Sequence, residues 1–66
     1  MNVTINGTPH ELATGATVAA AVLTLTSVRS GVAVAVNDEV VSRSAWDSTA
    51  LAEADRVEVL TAVQGG

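Results

Sequence analysis

Residues 32–41 read Val-Ala-Val-Ala-Val-Asn-Asp-Glu-Val-Val, and this stretch decides the fold. Valine alternates with alanine over the first five residues, which puts large side chains on one face of a β-strand and small ones on the other. Asn37 and Asp38 favour a turn, and Glu39–Val41 resumes as a short strand. The stretch therefore predicts a hairpin whose first strand is central in a sheet, with its valines facing a helix.

The residues at the start of the chain predict another hairpin. Residues 3–5 alternate apolar with polar side chains, and residues 8–12 regain extended character. Between them, Asn6-Gly7 is typical of a type I′ turn. Because Pro9 has no N–H to give to a neighbouring strand, we place the second strand at a sheet edge.

A helix is expected between the two hairpins. Residues 14–17 read as a loop that ends in a helix N-cap at Thr17. After it, apolar residues recur at helical spacing, namely Val18, Ala21, Val22 and Leu25. Three consecutive alanines at residues 19–21 favour a helix over a strand, so the helix should begin near Val18.

The second half of the chain predicts one more strand after an irregular connection. Residues 42–53 lack a regular pattern, and one helical turn is expected around residues 46–51. Residues 56–60 alternate again and form the last strand.

The element order β-β-α-β-β-β predicts an α+β fold, a ubiquitin-like β-grasp with a mixed five-stranded sheet and one main helix. If the first and last strands are the inner ones, residues 1–60 form the domain and residues 61–66 a flexible tail. The core is expected from aliphatic side chains, including Val3, Ile5, Val22, Leu23, Val34, Val57 and Val59.

Composition excludes several classes of function. The chain has 66 residues, enough for one small domain. It has no cysteine, so a disulfide scaffold and a thiol nucleophile are excluded, and one histidine is too few for a metal site. Three arginines, no lysine and a net charge of −4 make nucleic acid a poor partner and favour basic protein partners. The sequence shows neither the pattern of a signal peptide nor a membrane-spanning stretch, so we expect the protein to be located in the cytoplasm.

The C-terminal tail is the chemically unusual feature. Residues 61–66 carry no charged side chain and end in Gly65-Gly66. Extended, they reach about 20 Å, enough for Val63, Gln64 and Gly65 to thread into a partner's channel. A carboxylate such as that of Gly66 is a poor electrophile until it is adenylated. The chain binds no cofactor and is not an enzyme by itself, so a partner must supply the ATP and magnesium.

In these features the chain resembles the ThiS family of sulfur carriers in thiamine biosynthesis. Residues 34–46 resemble the family's valine-rich strand, Asn turn and Arg/Trp connection, and residues 62–66 resemble its tail. The family usually has glycine where this chain has Ala54, and often proline where it has Ser42. Ala54 argues that a turn there is built without a positive φ.

The resemblance implies that an E1-like adenylyltransferase adenylates the Gly66 carboxylate and that a cysteine desulfurase relay supplies sulfur. The resulting thiocarboxylate would donate sulfur to thiazole synthase. We further expect Leu60 to point away from Val57 and Val59 and to form, with Val63, a partner-docking surface. The free carrier is expected to be a monomer.

Three alternatives stay open at this stage. A carrier for molybdopterin or cysteine biosynthesis would share the fold and the Gly-Gly end. A ubiquitin-like tag would form isopeptide bonds with other proteins. The third alternative is a β-grasp module with an RNA-binding or regulatory role, and the acidic net charge argues against RNA binding.

Overall fold

The computed structural model describes residues 1–27 and 29–61. They form five strands, one α-helix and one 3-10 helix. The strands are β1 (Asn2–Ile5), β2 (Thr8–Glu11), β3 (Val32–Val36), β4 (Glu39–Val41) and β5 (Arg56–Thr61), and helix α1 covers Val18–Leu23. They follow the predicted order β-β-α-β-β-β and form one mixed sheet, which confirms the β-grasp class.

The first and last strands are the inner strands of the sheet. Its order is β2-β1-β5-β3-β4, with β1 and β5 parallel and the other neighbours antiparallel. The middle position therefore belongs to β5, and β3 lies beside it rather than at the centre. Pro9 lies in β2, and β2 is an edge strand as predicted.

Both hairpins turn through residues with positive φ. Asn6 and Gly7 have φ of 52° and 81°, and Asn37 and Asp38 have φ of 51° and 70°. A positive φ at both central residues is the requirement of a type I′ turn, whose twist matches that of the flanking strands. The two predicted turns are confirmed.

One face of the sheet and helix α1 enclose the core. The buried aliphatic side chains come from β1, α1, β3, β5 and the connection between the 3-10 helix and β5. They are Val3, Ile5, Val18, Ala21, Val22, Val34, Leu51, Val57 and Val59. The three valines of β3 face this side, where Val34 is buried and the other two pack against the core. Thr17 caps the helix as predicted, because its Oγ1 accepts a hydrogen bond from the Ala20 N–H.

The prediction that Leu23 belongs to the core was wrong. The Leu23 side chain is 64% exposed, and Leu25 lies past the end of α1 and is also exposed. At about 100° per residue, position 23 is turned about 140° from Val18 and about 100° from Val22, so it lies outside the buried face of the helix. Hydrophobicity alone does not bury a side chain there.

The helical turn expected around residues 46–51 occurs earlier, as a 3-10 helix over Arg43–Ala45. Beyond Trp46 the chain pairs with the start of α1. The Val18 N–H donates to the Thr49 carbonyl at 2.9 Å, and the Leu51 N–H donates to the Ala16 carbonyl at 2.8 Å. These bonds hold the backbone extended there, so a helix cannot continue.

Ala54 contradicts the expectation of a turn without positive φ, because its φ is 71°. Hydrogen bonds around it stabilise this conformation. The Ala54 N–H donates to the Asn2 carbonyl at 2.7 Å, and the Asp55 carboxylate accepts from the Ala52 N–H at 2.7 Å. They offset a cost of about 1–2 kcal/mol for a non-glycine residue in the left-handed region.

Candidate functional site: the end of β5 and the outer face of the sheet

Strand β5 connects the core to the C-terminal tail. Its last residue, Thr61, lies opposite Val32 of β3. The tail residues singled out by the sequence, namely Val63, Gln64, Gly65 and Gly66, lie outside the described residues. The structure therefore shows the base from which the tail departs, which is an inner strand of the sheet.

Asn6 extends the pairing of β1 with β5 beyond the end of β1. The Asn6 N–H donates to the Val57 carbonyl at 2.9 Å. The Asn6 side-chain amide then takes the place of the next backbone unit, because its Oδ1 accepts from the Val59 N–H at 2.8 Å and its Nδ2 donates to the Val59 carbonyl at 3.1 Å. This clamp fixes β5 close to the tail, and it was missed because Asn6-Gly7 indicated only a turn.

Alternation along β5 separates a core face from an outer face. Val57 and Val59 are buried, whereas Glu58 and Leu60 are exposed. The predicted orientation of Leu60, opposite to the two valines, is confirmed. Leu60 is 73% exposed, a large apolar side chain left in solvent on the face that the helix does not cover.

Leu60 belongs to an open apolar groove, called here the outer groove. Its cross-strand neighbour is Ala33, and one pair further along the sheet Ala35 lies between Glu58 and Val40. Val40 is 79% exposed. The groove has a volume of about 430 Å³ and is lined by Asn6, Gly7, Ala33, Val34, Ala35, Val40, Arg56, Glu58 and Leu60. Small alanines between larger apolar side chains leave a concave surface that a partner's side chain can fill.

Arg56 closes one end of the outer groove as a paired cation. Its guanidinium forms an ion pair with Asp38 in the β3–β4 turn. The hydrogen bond that the Arg56 guanidinium donates to the Asp38 carboxylate, together with the negative charge of Asp38, raises the pKa of Arg56 above its ordinary value. The negative charge of Glu58 acts in the same direction and contributes less.

The described residues offer neither a metal centre nor an exposed aromatic side chain. No group of three His, Cys, Asp or Glu side chains among them could hold a metal ion. Trp46 is buried in the core, and its Nε1 donates to the Val41 carbonyl at 3.1 Å, so this side chain has a packing role. No helix in this part of the chain is long and apolar enough to cross a membrane.

These features define a small ubiquitin-like β-grasp protein in which the chain runs from the middle strand into the tail and one apolar sheet face is exposed. The model of the ThiS family matches residues 3–66. A solved structure of the thiamine biosynthesis protein ThiS from Geobacter metallireducens is similar, with 35% identity, full coverage of both chains and a TM-score of 0.78. No curated protein sequence matches significantly.

The chain belongs to the ThiS family. Membership confirms the resemblance drawn from residues 34–46 and 62–66. It identifies the chain as a sulfur carrier protein of thiamine biosynthesis, which works together with the enzymes of that pathway.

Proposed function

We propose that this protein carries sulfur as a thiocarboxylate on Gly66, for the thiazole moiety of thiamine. A carboxylate oxygen of Gly66 attacks the α-phosphorus of ATP and releases pyrophosphate. Sulfur then replaces AMP at the activated carbonyl. The observation that supports this proposal is the position of the tail at the end of β5, the middle strand of the sheet.

A short tail on a fixed base suits delivery into a partner's active site. Residues 62–66 span about 17 Å when extended. Because β5 pairs on both sides and is further held by Asn6, the base of the tail is anchored in the sheet. Gln64 and Gly65 carry the terminal carboxylate into a narrow channel, since glycine lets the backbone approach catalytic groups closely.

The activating chemistry belongs to the partners. The sequence has no lysine and no phosphate-binding loop, so the ATP and magnesium come from an E1-like adenylyltransferase. A cysteine desulfurase relay supplies the sulfur, and thiazole synthase receives it. The protein is thus a co-substrate rather than an enzyme, a monomer when free, and it acts in the cytoplasm.

The outer groove is the docking surface for the adenylating partner, with Leu60 as its main contact. Leu60 lies one residue before the end of β5 and on the face left uncovered by α1. A side chain of this kind contributes to binding when its exposed apolar area is removed from water. Val63 follows on the tail and is expected to extend this contact.

Complementation of a thiamine auxotroph tests the pathway. Expression of the full chain in a strain lacking its own carrier should restore growth without thiamine, whereas a variant lacking Gly66 should not. Both proteins must accumulate to the same level. Failure of the full chain in a strain that also expresses its cognate adenylating enzyme would contradict the assignment.

A further inference from the structure

Two arginines and three serines meet at one corner of the sheet, away from the outer groove. Arg29 and Ser30 come from the segment before β3, and Ser42, Arg43 and Ser44 come from the segment after β4. Together they line one shallow depression, called here the basic exit patch. Guanidinium and hydroxyl groups are donors that suit carboxylate or phosphate oxygens.

The basic exit patch lies at the end of the sheet from which the tail departs. Val32, the first residue of β3, is opposite Thr61, and Arg29 is three residues before Val32. Strand β4 runs back toward the same end and finishes at Val41, two residues before Arg43. Both arginines therefore lie toward the end of the sheet at which the chain leaves β5, on the side of β3 and β4.

Internal contacts hold one arginine in place and leave the other available. The Arg29 guanidinium stacks over the Trp46 ring, with its Cζ 5.2 Å from the ring centroid, and Nη2 lies 3.4 Å from Asp47 Oδ2. Arg43 forms no ion pair with any described residue, and its Nη1 only approaches the Arg29 carbonyl at 3.5 Å. Arg56, the third arginine, is paired with Asp38.

We infer that the basic exit patch docks on an acidic rim around the partner's channel that receives the tail. This inference rests on the proposed function. The extended tail carries Gly66 about 17 Å beyond Thr61, so the patch meets the mouth of the channel and not the reacting carboxylate. In a chain with a net charge of −4, a local cluster of positive charge orients the tail toward an acidic rim and opposes binding with the wrong face.

Arg43→Gln tests the inference, because Arg43 has the fewest internal contacts. The matched control is Thr8→Glu, which changes the net charge by the same amount at the exposed start of the edge strand β2. The dissociation constant for the cognate adenylating enzyme is measured against salt concentration. At about 0.01 M salt, where the Debye length is about 30 Å, Arg43→Gln should weaken binding about fivefold and Thr8→Glu much less.

The difference between Arg43→Gln and the parent protein should disappear at about 1 M salt, where charges are screened within about 3 Å. Equal affinities of Arg43→Gln and the parent at every salt concentration would overturn the inference, as would an equal loss in Thr8→Glu. Fluorescence of Trp46, the only tryptophan, verifies that each variant is folded.

Arg29→Gln should act in the same direction as Arg43→Gln. Adenylation of the parent protein is followed in the same samples. This measurement distinguishes failure of the docking patch from failure of the proposed function. If the parent is adenylated and both arginine variants bind the enzyme as tightly as the parent does, only the docking role of the basic exit patch is contradicted. A parent that is neither bound nor adenylated by an active enzyme contradicts the proposed function as well.

Discussion

At the scale of single residues, two short side chains in the left-handed region shape the surroundings of β5. Asn6 adopts a positive φ and gains two hydrogen bonds to Val59 through its amide. Ala54 adopts a positive φ without a side-chain hydrogen bond of its own, one residue before Asp55. Asparagine adopts this conformation at a lower cost than alanine does. The backbone strain is therefore greater at Ala54 than at Asn6.

Ala54→Gly should therefore stabilise the protein. Glycine removes a strain of about 1–2 kcal/mol at this φ and loses about 0.5–1 kcal/mol of backbone entropy on folding. The free energy of unfolding, from urea denaturation followed by Trp46 fluorescence, should rise by about 0.5–1 kcal/mol. Ala52→Gly is the control, because Ala52 lies in the same turn and has no positive φ. Equal destabilisation in both variants would show that Ala54 is not strained.

The turn at Ala54 also shows why residue-level prediction failed there. Alanine itself indicates a negative φ, and the sequence carries no local sign of the hydrogen bond from Ala54 to Asn2. Asn2 is more than fifty residues away along the chain, on β1. Long-range pairing of this kind overrides a local preference of about 1–2 kcal/mol.

At the scale of elements, strands β1, β3 and β5 could be predicted because each alternates between a core face and an outer face. Both hairpin turns could be predicted from their Asn, Asp and Gly residues. The connection over residues 42–55 could not, since its long-range backbone partners lie near the start of α1, at residues 16, 18 and 19, and on β1, at residues 2 and 4. The clamp from Asn6 to Val59 likewise depends on the parallel pairing of β1 with β5.

The outer groove is an element-scale feature, and Leu60→Asp tests its docking role. A carboxylate on this face should reduce adenylation by the partner about tenfold or more, since a charge replaces buried apolar contact. Leu23→Asp is the matched control, because Leu23 is a similarly exposed leucine on the helix. The rate of ATP–pyrophosphate exchange measures the effect. A rate in Leu60→Asp equal to that in Leu23→Asp would exclude the outer groove from docking.

At the scale of the whole molecule, the sheet holds the C-terminal strand β5 between two neighbouring strands. The first and last strands are adjacent and parallel, and β5 has β1 on one side and β3 on the other. The outer groove lies on the sheet face that the helix leaves uncovered, and the basic exit patch lies at the corner formed by the segments before β3 and after β4. A partner that contacts both constrains the direction in which residues 62–66 leave the domain.

The function could be predicted from the sequence because the β-grasp pattern and the Gly-Gly end occur together. Neither feature is specific alone, since a terminal glycine pair is common in frayed ends and the β-grasp fold serves many functions. The surfaces that select partners could not be predicted beyond Leu60. They depend on sheet order, which places Ala33 of β3 opposite Leu60 and Val40 of the edge strand β4 opposite Ala35 of β3.

The central claim is that Gly66 becomes a thiocarboxylate, and the intact mass of the protein tests it most directly. The chain is incubated with its cognate adenylating enzyme, ATP, magnesium and a sulfur source, beside a variant that lacks Gly66. We expect a mass increase that matches replacement of one oxygen by sulfur in the full chain and no increase in the variant. An unchanged mass of the full chain, with an enzyme proven active, would contradict the claim.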